Sequence, residues 1–259
     1  MIEVITSFNQ RYYDLIGKDS VASFLKYWPK ELSLTCYVEE FKLPTRSKRI
    51  KQIDFSELDP DYVRYQADTT LRQSDKKFAK KAYSFMHAMN HSTADWIVWL
   101  DADVITAKKL PLSALTDLLL PEYLSMYMGV TYDTSKDGKP GNWLCPETGI
   151  FAVNTQHGRF NHFRDEYCRR YHERDYQDLR RFYDNDVLGA ALNVAKPLKV
   201  NDLCAGFQKG YKTPLRHTVL GQYLVHHKAK HSKAAYTKSD VADIADVCFD
   251  PDRGQSEHL

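Results

Sequence analysis

The sequence predicts an α/β fold with a mostly parallel sheet flanked by helices, and three observations carry that expectation. First, the opening forty or so residues read strand, helix, strand. Glu3 to Ser7 is the first strand, and a helix capped by Asp19 or Ser20 runs to about Trp28 with Val21, Phe24, Leu25 and Trp28 on one face. Leu32, Leu34, Cys36 and Val38 then alternate with Ser33, Thr35 and Tyr37, the pattern of a strand with unequal faces. Second, Trp96-Ile97-Val98-Trp99-Leu100 is an unbroken apolar run, as in a strand buried on both sides. Third, a helix from Asp75 with Phe78, Ala82, Phe85 and Met89 on one side leads into that run, as the crossover of right-handed βαβ wiring does.

Residues 39–68 carry Pro44 and Pro60 and read as surface structure, with an edge strand at Ile50 to Phe55. Pro111 to Leu120 is a short helix, and Ser125 to Tyr132 returns to the sheet through Met126, Met128 and Val130. Asp133 to Asn142, rich in Gly, Pro and charge, is a loop. Ile150 to Val153 is a buried strand with Glu147 and Gly149 just ahead of it, and a helix from about Gln156 carries Phe160, Phe163, Tyr167 and Tyr171. Asp178 to Asn193 is helical in pattern, with Leu179, Phe182, Val187 and Ala190 or Ala191 as its stripe. Val200 to Cys204 is a short strand, Phe207 to Arg216 is turn-rich, and Val219 to Ser232 closes in a basic, histidine-rich segment. The whole is expected as a single domain over 1–250 with a flexible tail at 251–259.

Composition narrows the function. At 43% hydrophobic and 27% charged, the 259-residue chain is an ordinary folded protein with no run long enough to span a bilayer. A strand pattern from Ile2 with no basic, apolar-core or cleavage signature sets a cytoplasmic expectation. Five dispersed cysteines (Cys36, Cys145, Cys168, Cys204, Cys248) with no Cys-x-x-Cys pair read as reduced thiols. A net charge of +2 gives no case for nucleic-acid binding. The basic runs Lys48-Arg49-Ile50-Lys51 and Lys228-Ala229-Lys230-His231 fit phosphate, an anionic membrane surface or plain solvation, with solvation preferred for the first. The 13% aromatic content, including 17 tyrosines, suits sites for bases and sugars as well as cores.

The chemistry is concentrated after the central apolar run, at Asp101-Ala102-Asp103. Ligands in open α/β sheets sit beyond the carboxyl ends of the strands, and two carboxylates there suit a shared hard cation such as Mn²⁺ or Mg²⁺. The plainer reading is a helix cap and a solvated turn.

Trp96 to Thr106 resembles the Asp-x-Asp segment of nucleotide-sugar-dependent glycosyltransferases of the GT-A fold. The opening Val4-Ile5-Thr6-Ser7-Phe8-Asn9, the run Glu147 to Asn154, and Tyr183-Asp184-Asn185-Asp186-Val187-Leu188 strengthen the match, which is closest to retaining enzymes with a C-terminal metal-ligand histidine. The resemblance implies a GT-A-like, Rossmann-related, mixed, mostly parallel sheet and a hydroxyl-directed transfer from a UDP- or GDP-sugar to a glycan or glycoconjugate acceptor. It implies Mn²⁺ or Mg²⁺ on Asp101, Asp103 and a histidine, for which His226, His227 and His231 all qualify and His226 is favoured, with Lys228 near phosphate.

The same resemblance places Thr6, Ser7 and Phe8 at the nucleotide, with Tyr12 or Tyr13 stacking on the base. It places Lys81, or alternatively Arg72, near donor phosphate or ribose, and Ala102 beside the diphosphate between its two aspartates. Glu147 precedes a glycine that permits close approach of a sugar, and it is a candidate hydroxyl contact or general base. The related enzymes carry Asn-Ser-Gly there, so Glu147-Thr148-Gly149 is a departure. Asp184 and Asn185 match the residues that hold the donor sugar and meet the reacting centre, with Asn185 one methylene shorter than the usual glutamine. Two other functions fit parts of the pattern: a nucleotidyltransferase making a nucleotide sugar, and a non-catalytic nucleotide-sugar-binding protein.

Overall fold

The computed structural model describes residues 1–129, 146–176, 179, 183–196, 199–205 and 214–227. Among the described residues nine strands form a seven-stranded sheet and a two-stranded one: β1 Ile2–Asn9, β2 Leu34–Glu39, β3 Ile50–Asp54, β4 Trp96–Leu100, β5 Val104–Thr106, β6 Ser125–Gly129, β7 Pro146–Asn154, β8 Val200–Asp202 and β9 Leu224–His226. The large sheet runs β3-β2-β1-β4-β7-β6-β8. Its first four strands are mutually parallel, β7 is antiparallel to β4 and β6, and β8 runs parallel to β6. The parallel strands are those the βαβ pattern predicts, and the mixed, mostly parallel sheet is the one the GT-A resemblance implies.

Among the described residues seven α-helical segments accompany it: α1 Gln10–Tyr12, α2 Lys18–Tyr27, α3 Asp61–Ala67, α4 Gln73–His91, α5 Ser113–Thr116, α6 Phe160–His172 and α7 Asp184–Val194. Because strand side chains alternate, neighbours part to opposite faces of the sheet. Ile5, Tyr37, Ile97, Trp99 and Phe151 enter one core with residues of α3, α4, α6 and α7, while Val4, Cys36, Val98, Leu100 and Ala152 enter the other with Val21, Phe24 and Trp28 of α2 and its end. Five buried tyrosines, Tyr62, Tyr65, Tyr83, Tyr167 and Tyr171, fill the first core with edge-on and tilted ring contacts. Much of the aromatic surplus is therefore packing.

Several boundaries differ from the sequence reading, each for a local reason. Asn9 caps a helix that starts at Gln10, accepting from the Tyr12 amide at 2.9 Å, and a π-helical turn at Tyr13–Gly17 continues it into α2. Asp19 and Ser20 are thus inside the helix, and the Ser20 hydroxyl instead donates to the Val104 carbonyl at 2.9 Å, tying α2 to β5. Strand β2 is buried on both faces, because Thr35 donates to Glu3 at 2.6 Å and Tyr37 pairs with His87 at 3.1 Å. Strand β7 begins at Pro146, since pairing with β6 continues through Met128↔Glu147 and Gly129↔Pro146. Glu147 and Gly149 are consequently inside a strand and not ahead of it.

Helix α6 starts at Phe160, after a turn in which the Asn154 side chain accepts from the Gln156 amide. Helix α7 starts at Asp184, with Asp184 and Asp186 in its first turn, where negative charge meets the positive end of the helix dipole. Arg49, expected as solvated, instead reaches back over the Phe24 ring and donates to the carbonyls of Leu25, Pro29 and Leu32. Cys36, Cys168 and Cys204 are free thiols. Among the described residues no helix is long and apolar enough to cross a membrane. The loop from Asp133 to Asn142, Cys145, Lys228, His231, Cys248 and the 251–259 tail lie outside the described residues.

Candidate metal centre and donor site

Asp101 leaves the end of β4 with its amide on the Gly149 carbonyl at 2.8 Å, and a tight turn closes when the Val104 amide donates to the Asp101 carbonyl at 2.9 Å. That turn lifts Ala102 and Asp103 over the carboxyl edge of the parallel strands. Strand β5 then pairs antiparallel with β9, Val104 opposite His226, and the His227 amide donates to the Asp103 carbonyl at 2.9 Å. Backbone pairing alone therefore sets His226 beside the two aspartates.

The side chains converge on one point. Asp103 accepts from the Tyr12 hydroxyl through Oδ2 at 2.9 Å and turns Oδ1 to His226 Nε2 at 3.1 Å. Asp101 accepts from Trp99 Nε1 at 2.7 Å and Lys81 Nζ at 2.9 Å through Oδ1, leaving Oδ2 at 3.8 Å from the same imidazole nitrogen. One oxygen of each carboxylate is held by the protein while the other faces His226, and the ligand atoms of all three residues lie within 4.8 Å of one another. Two carboxylates and an imidazole, oriented by donors behind them, are a donor set that fits Mn²⁺ or Mg²⁺.

Behind this cluster lies a layer of buried, paired charges. Lys81, 9% exposed, sits between Asp101 and Asp184 (3.0 Å), donates to the Thr148 carbonyl, and lies over the Trp99 and Phe151 rings at 5.0 and 5.5 Å. Thr148 Oγ1 donates to Asp184 at 2.6 Å. Burial alone would raise the Asp184 pKa, but Lys81 and the Thr148 hydroxyl overcome it and hold it below the usual carboxylate range. Burial pushes Asp101 up despite Lys81, with Asp103 adding to the rise. Burial opposes a charge on His226, yet its contact with Asp103 and the charges of Glu147, Asp103 and Asp101 outweigh it and raise its pKa.

On β7, Glu147 Oε1 accepts from the Gly149 amide at 3.0 Å and lies 3.8 Å from His226 Nδ1. A Cβ on Gly149 would stand 2.3 and 2.4 Å from Cε1 and Nδ1 of that imidazole. The space left by the glycine is thus filled by the histidine ring.

The structure separates the sequence-predicted residues. Asp101, Asp103, His226, Lys81, Glu147 and Asp184 come together, with Ala102 buried at the turn. Lys81 is saturated by carboxylates, which makes it a counter-ion for the cluster. His227 is buried but is not part of the three-residue ligand group. Tyr12 turns its hydroxyl to Asp103, whereas Tyr13 packs on Phe8 and Phe41 at 5.4 Å each. Thr6 is buried and Ser7 half-buried at the carboxyl end of β1, and Asn185 is half-buried in the first turn of α7. Arg72 is engaged bidentately by Asp75 at the start of α4. Sequence reasoning missed Trp99 Nε1 and Thr148 Oγ1. One belongs to the central apolar run and the other to the Glu147–Asn154 run, and the polar atom each carries within an apolar strand is the signal.

No protein-family model matches the sequence, and no curated protein sequence matches it. Solved structures do. The galactosyltransferase LgtC, in complex with donor and acceptor sugar analogs, superposes with a TM-score of 0.60 at 14% identity, over 95% of each chain. Mouse xyloside xylosyltransferase 1 gives 0.54 at 13% identity over 91% of this chain and 93% of its own. A glycosyltransferase involved in glycosylation of the PBCV-1 major capsid gives 0.50 at 13% identity, over 91% and 99%. The chain has the GT-A fold. At these identities the likeness is one of architecture, and in this GT-A sheet the Asp101, Asp103 and His226 cluster occupies the carboxyl edge where such sheets receive ligands.

Proposed function

We propose that this protein is a glycosyltransferase that moves a sugar from a UDP- or GDP-sugar to a hydroxyl on a glycan or glycoconjugate, dependent on Mn²⁺ or Mg²⁺. The observation that carries the reading is the convergence of Asp101 Oδ2, Asp103 Oδ1 and His226 Nε2 at the sheet edge. The named activities of the similar structures, a galactosyltransferase and a xylosyltransferase, support it. A divalent cation held there supplies Lewis-acid stabilisation to the departing diphosphate.

The chain's own residues supply the rest. Thr6, Ser7 and Phe8 at the end of β1 border the nucleotide, with Tyr12 and Tyr13 beside them. Asp184 and Asn185 hold the donor sugar from the start of α7. Because Asp184 is ionised against Lys81 and Thr148, its driving force for taking an acceptor proton is small, which favours a retaining course in which the leaving phosphate accepts that proton.

A thermal-shift panel of nucleotides and nucleotide sugars with and without Mn²⁺ tests this. One base should stabilise the fold in a metal-dependent manner, since a ligand bound only to the native state raises Tm by mass action. Asp103→Asn should abolish that dependence, and the stabilising nucleotide sugar should release free nucleoside diphosphate on incubation. A metal-independent shift, or none at saturating ligand, would remove the proposal's basis.

A further inference from the structure

The departure at Glu147-Thr148-Gly149 has its own geometry. The His226 ring is clamped by three carboxylates on two sides: Nε2 faces Asp103 at 3.1 Å and Asp101 at 3.8 Å, while Nδ1, on the other side of the ring, faces Glu147 Oε1 at 3.8 Å. The Nδ1 atom is buried and has no hydrogen-bond partner among the described residues. Glu147 is itself 6% exposed and anchored by the Gly149 amide. The imidazole occupies the volume that any side chain at position 149 would need.

We propose that Glu147 and Gly149 form the seat of the metal-ligating histidine, with Glu147 as the carboxylate that orients His226 and Gly149 as the gap that admits its ring. The inference rests on the cation reading of the Asp101, Asp103 and His226 cluster. A single imidazole proton placed on Nδ1 leaves the Nε2 lone pair for the cation, and a carboxylate on the Nδ1 side selects that tautomer and raises the basicity of the ligand. In that arrangement Nε2 would be the atom offered to a cation, and the Nδ1 side of the ring would face Glu147. The 3.8 Å separation exceeds hydrogen-bond range, so a small rotation of the ring would be needed to bring Nδ1 onto Glu147 with a cation bound. Glu147 is on this account a positioning residue and not the base that receives an acceptor proton. Its substitution acts on metal affinity before it acts on turnover.

The test is direct titration of Mn²⁺ onto the nucleotide-free protein, with unbound ion followed by electron paramagnetic resonance. Glu147→Gln should weaken Mn²⁺ about 10–100-fold, the usual cost of losing an outer partner of a metal-bound histidine. Gly149→Ala should weaken it at least as much by displacing the ring. Independently of any variant, ¹⁵N spectra of the wild-type protein loaded with Zn²⁺ as a diamagnetic probe should show His226 protonated on Nδ1 and bound through Nε2. Unchanged Mn²⁺ affinity in Glu147→Gln, with turnover lost, would overturn the proposal and return Glu147 to the role of acceptor base. So would metal binding through Nδ1. If wild-type protein takes up no Mn²⁺, the cation reading itself fails and the histidine seat falls with it.

Discussion

Replacing Lys81 by methionine isolates the buried charge layer behind the site. Lys81 lies 2.9 Å from Asp101 and 3.0 Å from Asp184, all three largely removed from water. At an effective dielectric of about 20, each attraction is about 5–6 kcal/mol before the desolvation of the ammonium is subtracted. Removing one partner of such a group commonly costs about 3–5 kcal/mol, because the opposite charges stay buried without compensation. An upper limit comes from protonation. A carboxylate near its ordinary pKa takes up a proton at neutral pH for about 4 kcal/mol, at about 1.4 kcal/mol per pH unit.

Lys81→Met should therefore lose about 3–4 kcal/mol of unfolding free energy at pH 7. In the variant the folded-state pKa of the stranded carboxylate rises above its unfolded value, so the native state binds the extra proton and stability recovers as pH falls, leaving a deficit of about 1 kcal/mol near pH 5. In the wild type Asp184 is held below its ordinary range, so its contribution is present throughout that interval and is lost only at lower pH. Urea unfolding at pH 7 and pH 5 reads both quantities, without the screening that guanidinium salts impose. A deficit below about 1 kcal/mol at pH 7, or one of equal size at both pH values, would refute the charge argument, since an apolar packing loss has no such pH dependence.

Other parts of the molecule give three further expected outcomes. Burial favours a neutral Asp61, but hydrogen bonds from Arg174, Tyr83 and Arg64 outweigh it and hold its pKa at about 2. Asp61→Asn should cost about 2–3 kcal/mol in urea unfolding at pH 7, and the gap to wild type should close as pH drops from about 4 towards 2. Arg49→Lys should cost about 1–3 kcal/mol, as a single ammonium cannot reach the Leu25, Pro29 and Leu32 carbonyls together; a Tm within a degree of wild type would contradict this. Tyr12→Phe keeps the ring but removes the donor to Asp103, and calorimetric titration should show Mn²⁺ bound about 10-fold more weakly with apo Tm little changed.

The sheet and the aspartate pair were legible because they depend on local pattern. The Trp96 to Leu100 run is short, β-branched and aromatic, which marks a strand buried on both faces, and residues just past the end of a central parallel strand stand at the ligand edge. The helix from Asp75 showed itself by period alone. Choosing His226 over His227 was a different matter, because it depends on the β5–β9 register, a pairing between segments far apart in the chain. The extent of β7 was hidden for a related reason: Glu147 and Thr148 look like loop residues until the Gly149 amide, the Asp184 carboxylate and Lys81 satisfy them. Lys81 is one of four lysines at 76, 77, 80 and 81, and only the resemblance singles it out, as a contact of donor phosphate; its partners come from β4, β7 and α7. Arg49 likewise read as solvated, since nothing local announces that three carbonyls await it.

The two-stranded ribbon β5–β9 makes the cluster depend on a pairing between distant parts of the chain. Two aspartates are contributed by the middle of the chain, and the imidazole arrives on the last strand of the described fold, stitched down by Val104, Ile105 and Thr106. A nick in the chain between β8 and β9 would spare every strand of the main sheet yet unmoor the third ligand. Ion uptake by this protein would then act as an indicator that its carboxyl-terminal segment has docked, a property that ordinary probes of helix and sheet content do not register.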